Sequence, residues 1–141
     1  MLSSRRAALA LAAFVLAASA QSPETFKARL YPVPIDASLR AEVTGHGSIT
    51  ATFDGHRLSV TGNFEGLRTP ATVAQIHQSP VTGLRGPVLA DLTTQKSNSG
   101  SIAGSVDLNG EQIEALRKGR LYVQINSEKA PDGNLWGWLL R

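Results

Sequence analysis

From Phe26 onward, apolar and polar side chains alternate in short runs, each broken by Pro, Gly, Asn or Asp within about ten residues. A period of two places successive side chains on opposite faces of an extended backbone, so the pattern demands strands half-buried against a core. Phe26-Lys27-Ala28-Arg29-Leu30 alternates apolar with basic residues and stops at Pro32 and Pro34, which cannot donate to a sheet ladder. Ser48 to Phe53 sets Ile49, Ala51 and Phe53 against Ser48, Thr50 and Thr52. Asp54-Gly55 then supplies a two-residue hairpin turn. Arg57 to Phe64 returns with Leu58, Val60, Gly62 and Phe64 on one face. Thr72 to His77, Val88 to Leu92, Ser101 to Leu108, Leu121 to Asn126 and Leu135 to Leu140 complete the strand set. Ile35 to Thr44 reads as a further extended segment, and the polar stretch Thr93 to Gly100 as a mobile loop.

One helix interrupts the strands. Asn109 is an N-cap with Gln112 placed to reach back to it, Ile113 and Leu116 form a short apolar stripe, and Gly119 stops the turn. A parallel sheet would need repeated crossover helices. The expected fold is therefore all-β: an antiparallel, Greek-key-like β-sandwich or barrel of seven or eight strands, with one short helix near residues 110–118. A hairpin pattern is also written twice. Gln75-Ile76-His77, Pro80 and Gly83-Leu84-Arg85-Gly86 are echoed by Gln124-Ile125-Asn126, Pro131, Gly133 and Leu135-Trp136-Gly137.

The first twenty residues read differently. Ser3-Ser4-Arg5-Arg6 is a positive n-region, Ala7 to Ala17 an apolar stretch, and Ala18-Ser19-Ala20 an A-x-A cleavage site. The apolar stretch falls short of the roughly 20 residues a membrane span requires. Residues 1–20 are thus expected to be a signal peptide and 21–141 one β-domain that is secreted or periplasmic, with no membrane span once the signal is removed. The n-region suits ordinary Sec export; Ser4-Arg5-Arg6-Ala7-Ala8-Leu9 also resembles a twin-arginine signal, with Ala8 in place of the usual bulky residue. No Cys follows the cleavage site, which argues against a lipoprotein anchor. Fourteen Lys and Arg against 11 Asp and Glu become 12 against 11 when Arg5 and Arg6 leave with the leader. The basic precursor is therefore no footprint of nucleic-acid binding, which would need a basic face with groove-reading elements. The absence of cysteine removes disulfides, thiolate metal sites and cysteine nucleophiles.

Catalytic motifs are missing. The chain has no G-x-S-x-G elbow, H-E-x-x-H helix or phosphate-binding glycine loop. Glu42, Asp54, Glu65 and Asp91 are scattered, with no spacing that nominates a pair. His77 is the candidate ligand or proton carrier, although a lone His is more simply a hydrogen-bonded imidazole at a strand end, since a metal needs three or four ligands. Gln75, Asn126 and His46 are its candidate companions, while His46 and His56 by themselves read as exposed turn residues. Gln75, Gln124 and Asn126 are expected to form a buried amide ladder between the two repeated hairpins, because buried amides need partners. Trp136 and Trp138 share one face of their strand, with Tyr122 on a neighbouring strand, and the three are the candidate ligand-binding residues; the simpler and preferred assignment has the aromatic side chains covering one side of the core.

The order of these landmarks resembles the CHRD (chordin-type) domain family, over nearly all of Phe26 to Leu140. The residues that carry the likeness are Tyr31-Pro32-Val33-Pro34, Gly45 or Gly47, Gln75-Ile76-His77 followed by Gly86-Pro87-Val88, Leu116 to Gly119, Leu121 to Ser127, and Pro131 to Gly137. The resemblance implies a secreted or cell-surface β-domain used as a binding module, with no general enzymatic activity. Its partner would be an extracellular or envelope protein or a glycan. The family often carries histidines at two alternate positions of one strand and at one late position. This chain has Gln75 with His77, and Asn126, so no cofactor is expected. The alternatives are a Cu- or Zn-binding redox protein resembling copper/zinc superoxide dismutase with an eroded histidine site, and a structural envelope or matrix component. Gln75 and Asn126 are poorer ligands for those metals than imidazole.

Overall fold

A computed structural model describes residues 22–34 and 36–141. The signal-peptide assignment to residues 1–20 lies outside the described residues. The alternation becomes β1 (Glu24–Pro32), β2 (His46–Phe53), β3 (Arg57–Glu65), β4 (Ala71–Gln78), β5 (Val88–Thr94), β6 (Gly100–Asp107), β7 (Leu121–Ser127) and β8 (Leu135–Trp138), with one helix, α1 (Gly110–Arg117), between β6 and β7. All pairings are antiparallel. The spatial order β1-β2-β3-β6-β5-β4-β7-β8 closes on itself as a barrel. The β4-β5-β6 meander sits between β3, which lies on β6, and β7, which lies on β4. Each flanking strand makes a Greek key with the same three strands.

The inward positions are those the alternation selects. Phe26, Ala28 and Leu30 of β1, Ile49, Ala51 and Phe53 of β2, and Leu58, Val60 and Phe64 of β3 are all buried in one cluster with Ile76, Ile102, Leu121, Val123, Ile125, Leu135 and Leu139. Each large side chain removed from water contributes about 1.5–3 kcal/mol, and a barrel of eight strands is just wide enough to be filled this way. Helix α1 closes one end with Ala115 and Leu116. Its capping box forms as read: Asn109 Oδ1 accepts from the Gln112 amide and Gln112 Oε1 from the Asn109 amide, both at 2.9 Å. Among the described residues no helix is long and apolar enough to cross a membrane.

Two local expectations fail. Within the stretch expected to be extended from Ile35 to Thr44, Ala37–Glu42 forms a 3-10 helix whose N-cap is Asp36, accepting from the Ser38 amide. None of the helix residues is buried, and the attachment comes just after it, where Val43 is buried and Thr44 bonds to Gly66 and Asn134. The stretch Thr93 to Gly100 is not a free loop either. β5 runs on to Thr94 and β6 begins at Gly100. The turn between them is fastened to the β3–β4 link: Leu67 and Ala71 donate to the Asn98 and Ser97 carbonyls, and Asn98 Nδ2 donates to the Leu67 and Arg68 carbonyls. Polarity there serves hydrogen bonding to a neighbouring link, which composition cannot distinguish from solvation.

Candidate functional site

β7 is buried along Leu121 to Ile125. Leu121, Val123 and Ile125 point into the barrel, so Tyr122 and Gln124 must point out, yet they are only 1% and 4% exposed. What covers them is the β4–β5 connection, residues 79–87, folded back over the outer face. Its anchor is Gly86, where a Cβ would stand 1.8 Å from the Gln78 carbonyl oxygen, so only glycine fits. Tyr122 Oη accepts from the Gly86 amide at 2.9 Å and donates to the Gly86 carbonyl at 3.2 Å.

His77 completes this clamp. Its ring stacks on Tyr122 with centroids 4.9 Å apart and planes 13° from parallel. Nδ1 lies 2.9 Å from the Gly86 carbonyl, and because a carbonyl only accepts, Nδ1 carries the proton. Nε2 then holds a lone pair in a buried place where it meets no hydrogen-bond partner among the described residues. Burial lowers the His77 pKa from its ordinary value; the Gly86 carbonyl opposes this and the Arg85 charge reinforces it. The imidazole is a neutral fastening for the loop, as expected of a hydrogen-bonded histidine near a strand end.

Arg85 extends the clamp across the sheet. Its Nη1 donates to the Asp132 carbonyl at 2.8 Å and reaches Gln124 Oε1 at 3.5 Å, and the guanidinium lies 5.9 Å from the Trp136 ring centre. Trp136 and Trp138 are half-buried, but on the outside of the barrel and not in its core. They form one aromatic cluster with Tyr122, whose ring centre is 5.6 Å from Trp136 and 4.6 Å from Trp138. The core assignment fails because the inward places on β8 belong to Leu135 and Gly137, with Leu139 beyond them.

Beyond the tryptophans lies β1. Tyr31 pairs with Trp136, and Lys27 with Leu140, which places Arg29 beside Trp138. Gly137 permits the close seam: a Cβ there would be 2.4 Å from the Arg29 carbonyl oxygen. The result is a shallow trough of about 280 Å³ between β1 and β8, lined by Lys27, Arg29, Tyr31, Trp136 and Trp138 among others. Tyr31 is 54% exposed. Lys27, Arg29 and Arg85 make no ion pair among the described residues. Sequence reasoning missed Tyr31, Lys27, Arg29 and Arg85. The outward positions of β1 were legible, but their adjacency to β8 exists only once the barrel closes.

The other candidates do not converge. Gln75 stands opposite Gln124 on neighbouring antiparallel strands, so His77 and Asn126, each two residues further on, diverge to opposite ends of the ladder. They are four residue steps apart along it, about 13 Å. His46 lies on β2, on another part of the barrel, 2.7 Å from the Glu65 carboxylate. Among the described residues no group of three or more His, Cys, Asp or Glu is placed to hold a metal ion. The amide ladder between the hairpins is likewise not formed. Gln75 donates to the Asp91 carboxylate at 3.0 Å, and Gln124 to Asn126 Oδ1 at 2.9 Å within its own strand. The Asp91 carboxylate is a stronger acceptor than the facing amide, which draws Gln75 away from Gln124.

Against known proteins, residues 31–139 match the family model described as the CHRD domain. No curated protein and no solved structure matches the chain.

Proposed function

We propose, from the premise that the chain belongs to the CHRD domain family, that it is an exported, non-enzymatic binding module whose ligand surface is the outer aromatic face of β1, β8 and β7. The observation that carries this reading is the placement of Trp136 and Trp138, half-exposed on the outside of a barrel whose core is already filled. Large aromatic side chains are costly to leave in water unless they meet a partner. The ring cluster is held in place from beneath by Tyr122 and from the side by the Arg85 loop, so little conformational freedom remains to be lost on binding. Export is supported by the arrangement of Ser3 to Ala20, and the partner is an extracellular or envelope component.

Fractionation tests the reading. The processed protein, starting at Gln21 by mass, is expected to be retained with the envelope or extracellular matrix. The W136A/W138A variant is expected to be released while keeping the far-ultraviolet circular dichroism of the parent. A parent protein found free, or a variant retained as strongly as the parent, contradicts it.

A further inference from the structure

The trough between β1 and β8 combines exposed ring faces with cations that make no ion pair among the described residues. Along β1 the outward side chains are Lys27, Arg29 and Tyr31; along β8 and the tail they are Leu140, Trp138 and Trp136. Same-face neighbours on one strand are about 7 Å apart, so Lys27 and Arg29 lie toward one end of an open, extended track and Tyr31 with Trp136 toward the other, with Trp138 between them opposite Arg29. No carboxylate lines the trough. Two cations just beyond it are paired: Arg117 and Arg141 both reach Glu24. Arg29 also borders the depression on its other side, where Ser48 and Thr50 of β2 add hydroxyl groups.

We propose that the ligand of this trough is an acidic polysaccharide, a linear chain of pyranose rings that carry carboxylates. This rests on the reading of the outer aromatic face as the binding surface and adds the chemistry of its occupant. A pyranose offers apolar C–H faces to Trp138, Trp136 and Tyr31, and its carboxylate is the counter-charge that Lys27, Arg29 and Arg85 lack. An acidic peptide is less suited. Extended peptides gain affinity by adding a strand to an open sheet edge, and β1 is already paired with β2 on one side and β8 on the other.

Titration of the full chain with oligogalacturonate and oligomannuronate, followed by tryptophan emission and calorimetry, tests the proposal. Expected is saturable binding by at least one of them that weakens with salt. The methyl-esterified oligomer and poly-glutamate should each bind about tenfold more weakly or worse. The K27Q/R29Q variant, altered only at exposed side chains, should lose about tenfold or more in affinity at unchanged thermal midpoint. No saturable binding of either polyuronate overturns the proposal, as does equal binding of the esterified chain or of poly-glutamate. The underlying surface reading fails separately, if W136A/W138A is retained in fractionation.

Discussion

At the scale of single residues, the tightest constraint on the outer face is the three-way contact of His77, Tyr122 and Gly86. Tyr122→Phe keeps the ring stack but removes the hydroxyl that bonds both the amide and the carbonyl of Gly86. It is expected to lower stability by about 1–2 kcal/mol in urea unfolding. His77 gives the clamp a pH dependence. Its folded pKa lies below the ordinary value of 6.5, so between the two values the unfolded chain binds more protons than the folded one. The His77 contribution is therefore fully present above about pH 6.5 and is lost as pH falls through the window beneath it. Urea midpoints measured across that window should fall on acidification more steeply for the parent than for His77→Gln. His77 was legible as a lone histidine near a strand end. Its partner was not, because alternation says which way a side chain points and nothing about which loop folds over it.

At the scale of elements, the hairpin at Asp54-Gly55 and the capping box of α1 were legible since both are written in adjacent residues. Asp54 Oδ1 accepts from the His56 and Arg57 amides at 2.8 and 2.6 Å. Removing the helix cap with Asn109→Ala should cost about 1 kcal/mol by chemical denaturation. The repeated hairpin was legible as architecture, for β4 and β7 are neighbours about the Gln75–Gln124 pair. It could not be read as a site, because antiparallel neighbours carry equivalent positions away from each other. The β1–β8 seam was hidden, as it joins the two ends of the domain. Gly137→Ala would press a methyl group toward the Arg29 carbonyl oxygen and is expected to destabilise by about 1–3 kcal/mol. It should also displace Arg29 from Trp138 and weaken the polyuronate binding proposed for the trough.

At the scale of the whole molecule, closure of the sheet accounts for a small domain that holds together with no cysteine. A closed barrel buries its core and leaves no long unpaired edge, two tasks that disulfides and edge charges perform elsewhere. The filled interior leaves the outer face as the surface on which the proposed binding site is built. Two walls of that outside differ in character. Between their ends β2, β3 and β6 present Ser48, Thr50, Thr52, Ser59, Thr61, Asn63, Ser101 and Ser105, all exposed and uncharged, with the charged Arg57, Glu65 and Asp107 confined to strand ends, whereas β1 and β8 present rings and cations. Each strand was legible by itself, but the sorting of their outward faces into two walls follows from the strand order β1-β2-β3-β6-β5-β4-β7-β8, which no local pattern encodes.

That asymmetry makes site-directed photo-crosslinking in living cells the most direct measurement. A benzophenone side chain replacing Tyr31 stands on the aromatic wall, and one replacing Thr61 stands on the hydroxyl wall of the same barrel. The expected result is strong crosslinking to an envelope or extracellular component from position 31, reduced by W136A/W138A, and little from position 61. Equal crosslinking from both positions, or crosslinking from position 61 alone, would contradict the assignment of the binding surface.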